Sequence, residues 1–337
     1  MSRVSTSELV DPHDAEAFDA WYDVHRAATD DGREFAVTWA REEMRAGLLT
    51  ESAYFGKEIW AVRDEAGAIA GTLYLDFPLK DNTSVIQAGI GVRADVRRRG
   101  YGTQLARTVA ERAAELGRTV VQGQLDVPID GGPTPAQAFA AANGLTVANV
   151  EVHRILELPL AEEFLSGLAE KAAEHHQGYR LISWQDRCPD EYVDAYAAMQ
   201  ATFELEAPMG DLEVEAAVYD AARVRAGEEQ RVAQGRNGWI TVAQAPDGTM
   251  AGYTELYVGV HDPLNAYQWG TLVAPAHRGH RLGLALKVRN HLELQRSHSE
   301  RRIAHTWNAE QNTAMNAVNA VLGFRPVELA QELQRRI

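Results

Sequence analysis

The chain has 337 residues, with 33 Lys and Arg against 48 Asp and Glu, a formal net charge of −15, and 45% hydrophobic residues. That composition is ordinary for a globular protein and the length suits two domains. The acidity argues against general nucleic-acid binding, which needs a basic footprint, and is compatible with a cationic small partner. A single cysteine, Cys188, leaves no internal disulfide and no cysteine-rich metal site. No run approaches the ~20 apolar residues that span a bilayer. Residues 1–8 lack the apolar core of a signal peptide, so a cytoplasmic location is expected.

In chain order, Ile59-Trp60-Ala61-Val62, the turn Gly67-Ala68-Ile69-Ala70-Gly71 and Thr72-Leu73-Tyr74-Leu75 read as a β-hairpin. A third strand, residues 85–92, runs into the loop Arg97-Arg98-Arg99-Gly100-Tyr101-Gly102. Leu105, Val109, Ala113 and Leu116 then recur at helical spacing, with Gly117 as the C-cap. Residues 119–125 read as a strand, 126–133 as a loop and 138–143 as a short helix before Gly144. Residues 160–175 read as a connecting helix. The expected division is a domain over 1–160, a connector over 161–177 and a second domain over 178–337.

The second half repeats the first. Its opening segments, residues 190–200 and 212–225, read as acidic helices. Gly238-Trp239-Ile240-Thr241-Val242, the turn Gly248-Thr249-Met250-Ala251-Gly252 and residues 253–258 form the second hairpin. A strand over 266–273 leads to Arg278-Gly279-His280-Arg281-Leu282-Gly283, which lies 181 positions after the first loop. Leu284, Val288, Leu292 and Leu294 mark the helix, residues 302–307 the strand, and 314–322 a helix closed by Gly323. Residues 331–336 read as a polar tail.

A glycine-rich loop between a strand and a helix N-terminus is an anion site, with backbone N–H groups and the helix dipole aimed at phosphate. No Gly-Lys-Ser/Thr follows, so it is no Walker loop. A hairpin precedes it, unlike the dinucleotide fingerprint.

Strand, Arg-x-x-Gly-x-Gly, helix, strand, and a helix ending in Gly-Phe resemble the acyl-CoA motif of the GNAT superfamily of N-acyltransferases, in two tandem copies. The resemblance implies an α/β fold of two GNAT-like domains, each a mixed, mostly antiparallel sheet flanked by helices. It implies acyl-CoA phosphate contacts at Arg97, Arg98, Arg99, Gly100, Gly102 and Thr103, and at Arg278, Gly279, His280, Arg281, Gly283 and Leu284. The second loop departs from the pattern, with Arg281 where the first has Gly100. The pantetheine arm is expected along Ile90, Gly91 and Val92, and along Thr271, Leu272 and Val273. Asn308 and Asn312 resemble the family's strand-to-helix segment and would bond the pantetheine amides, or an asparagine would serve as a helix N-cap.

The family's acid tyrosine has no counterpart, since Ala140 and Asn319 occupy its positions. Glu255, beside the donor strand, is the first candidate base and Glu310 the second. The alternative for Glu255 is an outward-facing strand carboxylate. Glu204, Glu206 and Asp211 are candidates to hold a cationic amine, or form a solvated acidic turn. The implied activity is acetyl transfer from acetyl-CoA to a small-molecule amine by direct attack, without metal. A different acyl donor, a hydroxyl acceptor and a non-catalytic acyl-CoA-binding protein are the alternatives. The weight of the motifs leans to the second half as the catalytic one.

Overall fold

The computed structural model describes residues 6–337, apart from the side chain of Glu204. The first elements are β1 (Glu8–Leu9), α1 (Ala15–Asp30), α2 (Arg41–Leu49), β2 (Phe55–Arg63), β3 (Ile69–Pro78), β4 (Val85–Val92), α3 (Tyr101–Glu115), β5 (Val120–Pro128), α4 (Pro135–Ala142) and β6 (Thr146–Glu157). There follow α5 (Glu162–Ala173), β7 (Arg180–Gln185), α6 (Val193–Ala201), α7 (Phe203–Glu206), α8 (Ala221–Ala233), β8 (Arg236–Gln244) and β9 (Met250–Gly259). The last are β10 (Asp262–Val273), α9 (Leu282–Ser297), β11 (Ile303–Ala309), α10 (Thr313–Leu322) and β12 (Arg325–Arg336). Among the described residues no helix is long and apolar enough to cross a membrane.

The chain forms two compact units. Unit 1 takes residues up to Val150, Gly210–Glu215 and Ala330–Ile337; unit 2 takes Glu151–Met209 and Ala216–Leu329. This differs from the expected division in three places. The supposed connector contains α5, whose Leu165, Leu168 and Ala172 are buried in the core of unit 2 with Leu284, Ala285 and Val288 of α9. The supposed polar tail is the end of β12, and it belongs to unit 1. There Ile337 N–H donates to Thr119 O at 2.8 Å, while Gln334 Oε1 accepts from Gln122 Nε2 at 2.9 Å and from Glu213 N–H at 2.7 Å. The supposed second acidic helix is helical only from Ala221, and its start, Gly210–Glu215, is a strap of unit 1 held by Asn82 and Gln334.

Each unit has the expected α/β form. In unit 1, β1, β2, β3 and β4 pair antiparallel in that order, and β5 is parallel to β4. In unit 2, β7, β8, β9 and β10 pair antiparallel, β11 is parallel to β10, and the Glu151–Glu157 part of β6 is antiparallel to β11. The hairpin turns have a local cause. Asp64 Oδ1 accepts from Ala66 and Ala68 N–H at 3.0 Å before Gly67 at φ +84°; Asp247 Oδ1 accepts from Thr249 N–H at 3.0 Å beside Gly248 at φ +90°. Such carboxylate-capped turns with glycine at positive φ set the hairpins without help from the core.

In unit 1 the face of α3 carrying Leu105, Val109 and Ala113 packs on Leu73, Leu75 and Ile86, while Phe18, Trp21 and Tyr22 of α1 pack with Ile59, Ala61 and Ile69. In unit 2, Leu256 and Val258 of β9 belong to the core around α9 and α5, and Tyr253 to the core around α6 and α8. β9 is therefore buried on both faces, and a polar side chain on it has no solvent to face.

Candidate functional site

The two phosphate-type loops have the same backbone. Each strand ends at a valine, Val92 or Val273, and passes through a single helical turn, Ala94–Val96 or Pro275–His277. Two left-handed residues follow at matching positions: Arg98 (φ +67°) and Gly100 (φ +96°) in unit 1, Gly279 (φ +86°) and Arg281 (φ +52°) in unit 2. Each loop spends one glycine on this pair, at opposite positions. The replacement of Gly100 by Arg281 is thus answered by the replacement of Arg98 by Gly279, and the cradle survives the departure from the motif. A Cβ on Gly100 or Gly279 would meet nothing within 4 Å, so glycine is there for its backbone freedom.

Neither helix start has a side-chain cap. The first helical bonds run from Gln104 N–H to Gly100 O at 3.0 Å and from Ala285 N–H to Arg281 O at 3.1 Å. The N–H groups before them, at Gly102, Thr103, Gly283 and Leu284, lie in the helix turn whose donors find no intrahelical acceptor.

The arginines divide into two kinds. Arg97 Nε donates to Val92 O at 3.1 Å and its Nη2 lies 2.7 Å from Asp31. Arg278 Nε donates to Val273 O at 3.2 Å and its Nη2 lies 2.6 Å from Glu206. Both first arginines therefore fasten the loop to the strand end and to an acidic residue at the end of an earlier helix, Asp31 after α1 and Glu206 closing α7. Arg98, Arg99 and Arg281 are exposed. His280 Nδ1 faces His175 O at 3.1 Å.

Beside each loop two parallel strands part. β4 and β5 pair only from Val85↔Val120 to Gln87↔Gln122, and β10 and β11 only from Asn265↔Ile303 to Tyr267↔His305. Ile90, Val92, Leu272 and Val273 all lie past the last pair, so one edge of their backbone is open to an extended ligand. The Leu272 side chain itself is core, packed with Tyr196 and Tyr253. In unit 1 the splay holds a cleft of about 140 Å³ lined by Ala88, Ile90, Val109, Val121, Phe139 and Leu333.

Unit 2 alone adds a bulge and a carboxylate. The β9–β10 register shifts between Gln268↔Leu256 and Thr271↔Thr254, leaving one extra residue at Trp269–Gly270. The β3–β4 register has no such break. Bulges re-aim backbone and side chains. A Cβ built on Gly270 would lie 3.2 Å from Tyr253 Oη and 3.3 Å from Glu255 Oε2. Glu255 is 9% exposed, which disposes of the outward-facing alternative. Its Oε1 accepts from Tyr196 Oη, from Gln200 Nε2 at 3.0 Å and from Tyr257 Oη at 3.0 Å. No hydrogen bond to Oε2 is formed among the described residues. Burial and the Glu255 charge hold the Tyr196 and Tyr257 phenols well above their usual range, and burial foremost does so at Tyr253. All three stay protonated, and Tyr196 and Tyr257 donate to the carboxylate. Tyr196 and Tyr253 meet edge to face at 5.6 Å, and Tyr257 and Trp269 at 4.9 Å. The residue of unit 1 at the Glu255 position is Tyr74.

The other expected residues are dispersed. Glu310 is exposed, in the turn after β11. Glu206 is engaged by Arg278, and Asp211 belongs to unit 1, where its N–H donates to Ala148 O at 2.7 Å. The side chain of Glu204 lies outside the described residues. Asn312 is the N-cap of α10, its Oδ1 accepting from Met315 N–H at 3.2 Å. Asn308 Oδ1 accepts from Asn319 Nδ2 at 2.5 Å, and Asn319 Oδ1 from Lys287 Nζ at 2.6 Å. Sequence reasoning missed Tyr196, Gln200, Tyr253, Tyr257 and Lys287. The alternation Tyr253, Glu255, Tyr257 on one strand face was the available signal for three of the site's residues. Cys188 is buried, which pushes its thiol up to about 12 and leaves it inert.

Residues 19–128 match the model of the acetyltransferase (GNAT) family. Over nearly its whole length the structure resembles a tandem GNAT protein from the clavulanic acid biosynthesis pathway, at 27% identity, with 98% of each chain covered and a TM-score of 0.78. It also resembles a GCN5-related N-acetyltransferase from Sphaerobacter thermophilus at 15% identity, covering 98% of this chain and 95% of that one, TM-score 0.67. Saccharomyces cerevisiae N-myristoyltransferase with bound myristoyl-CoA matches at 11% identity, covering 99% and 79%, TM-score 0.60. These last two likenesses are of fold. No curated protein matches the sequence. Residues 19–128 are thus a domain of the acetyltransferase (GNAT) family, and over its full length the chain resembles a tandem GNAT protein.

Proposed function

We propose that the chain transfers an acetyl group from acetyl-CoA to a small-molecule amine, with the chemistry in unit 2. The observation that carries this reading is Glu255, buried beside the β10 bulge with one oxygen saturated by three donors and the other turned to Gly270. The loop over Arg278–Gly283 offers backbone donors to a pyrophosphate, and the open edge of β10 offers extended backbone to the pantetheine arm. Glu255 Oε2 takes a proton from the attacking amine, whose lone pair forms the C–N bond as the C–S bond breaks. The thiolate leaves without a protein acid, which a thiol pKa near ~8.5 allows. Tyr196 and Tyr257 meet the carboxylate through their hydroxyls, and Arg231 and Arg236 lie over the Tyr257 and Trp269 rings at 5.2 and 5.5 Å, so the negative charge of Glu255 itself is what favours an amine acceptor.

Unit 1 has the loop, the splay and an apolar cleft but Tyr74 in place of a carboxylate. We assign it acyl-CoA binding without turnover. The test is thiol release from acetyl-CoA and longer acyl-CoA thioesters over a panel of amines. Release with acetyl-CoA and an amine is the expected result; no release with any amine, or release with hydroxyl acceptors alone, contradicts the reading.

A further inference from the structure

Lys287 is among the largest fully buried side chains, 1% exposed on the inner face of α9. Among the described residues it has no carboxylate partner. Its Nζ donates to Asn319 Oδ1 at 2.6 Å and lies 5.7 Å from the Phe324 ring centroid. The charges and titratable groups facing it are Arg154 on β6 and His291 one turn further along α9. Burial, aided by Arg154, lowers its pKa to about 7. An ammonium without a counter-ion in a core is costly, and apolar side chains of similar size replace such charges at little or no loss. Core packing therefore does not explain why a lysine stands here.

The hydrogen bonds from Lys287 run in one direction only. An ammonium has no acceptor, so Asn319 must turn its carbonyl oxygen to Lys287 and its NH2 to Asn308. Asn308 must then turn its own oxygen to Asn319, the contact seen at 2.5 Å. This leaves the Asn308 NH2 with no partner among the described residues. Asn308 stands on β11 three residues past His305, the last residue paired with β10. Its unused donor therefore sits where the two strands part.

We propose that Lys287 is a positioning residue for the acyl donor: through Asn319 it locks the Asn308 NH2 outward as a donor to a carbonyl oxygen of the pantetheine arm. This rests on the reading of unit 2 as the acyl-CoA site. A charged Lys287 fixes both amides and polarises them in series. A neutral amine can accept as well as donate, so the lock loosens as pH rises through the lysine's titration.

The experiment is calorimetric binding of acetyl-CoA between pH 6 and 9. It uses the chain carrying Thr103→Glu, which sets a carboxylate at the exposed first turn of α3, beside the unit 1 loop, and silences that half. The parent is expected to bind about tenfold more weakly at pH 9 than at pH 6. Lys287→Met, close in volume, is expected to bind about tenfold more weakly than the parent at pH 6 and to be flat with pH. Asn308→Ala tests the same relay from its outer end and should also be flat. The two changes together should cost no more than either alone. His280→Glu, a carboxylate in the unit 2 loop, should abolish binding. If His280→Glu abolishes binding while Lys287→Met and Asn308→Ala keep the parent's affinity and pH profile, the role of Lys287 is overturned and the unit 2 site stands. If the Thr103→Glu parent does not bind, or His280→Glu changes nothing, the unit 2 reading and this inference fall together.

Discussion

In the proposed reaction Glu255 is the general base of unit 2. Three donors orient it through Oε1, so replacement by glutamine keeps the shape and removes the proton acceptor. Glu255→Gln is expected to lower kcat by about 10²- to 10⁴-fold, the usual worth of a general base. The KM for acetyl-CoA should change little, because the proposed contacts to the acyl donor are made by the Arg278–Gly283 loop and the β10 backbone. Steady-state thiol release with a fixed amine reads both. The loops give a second test at this scale. A non-glycine residue in the left-handed region costs roughly 1 kcal/mol. Arg281→Gly is expected to stabilise unit 2 locally by less than that, because the freer unfolded chain offsets part of the gain. Gly100→Ala is expected to destabilise unit 1 by about 1 kcal/mol. Hydrogen exchange at the first turns of α9 and α3 reports each change separately.

At the scale of elements, the sequence carried the repeated parts and lost the unrepeated ones. Hairpins, loops and the helices after them were legible because glycine-marked turns and helical spacing are local signals, present twice 181 residues apart. The end of β12 was not legible. Gln331, Glu332, Gln334 and Arg335 are polar, yet they find partners in Gln137, Asn149, Gln122 and the Asn143 carbonyl within unit 1. A strand whose polar groups are satisfied by distant residues has no apolar alternation to reveal it. The amides of 331–336 are accordingly expected to be as protected from hydrogen exchange as those of β5. Exchange as fast as a free terminus would contradict that placement. The site divides in the same way. Glu255 is legible as a candidate from its strand, but its burial depends on α6 and α8, and Lys287 sits among Leu284, Val288 and other residues of an ordinary amphipathic pattern with no local mark of its depth.

For the whole molecule, buried histidines set the response to acid. Burial first lowers His25 to about 4, His291 to about 3 and His305 to about 3, from 6.5. Below pH 6.5 the unfolded chain takes up protons that the folded chain refuses. Stability is therefore complete above pH 6.5 and falls as pH drops toward 4, by up to ~1.4 kcal/mol per pH unit for each histidine. Lys287, lowered to about 7, acts over another window: folding is penalised below pH 7, and the penalty lifts as pH rises toward 10.5. Thermal melts from pH 4 to 9 should show a steep acid loss, and Lys287→Met should gain fully below pH 7 and progressively less above it.

Thiol release from acetyl-CoA by paired variants separates the proposed roles of the two halves. Glu255→Gln in unit 2 and Thr103→Glu in unit 1 are compared with the parent under saturating amine. Loss of turnover in Glu255→Gln, with turnover retained in Thr103→Glu, is the expected result. Full turnover in Glu255→Gln, with loss in Thr103→Glu, would move the chemistry to unit 1 and contradict the account.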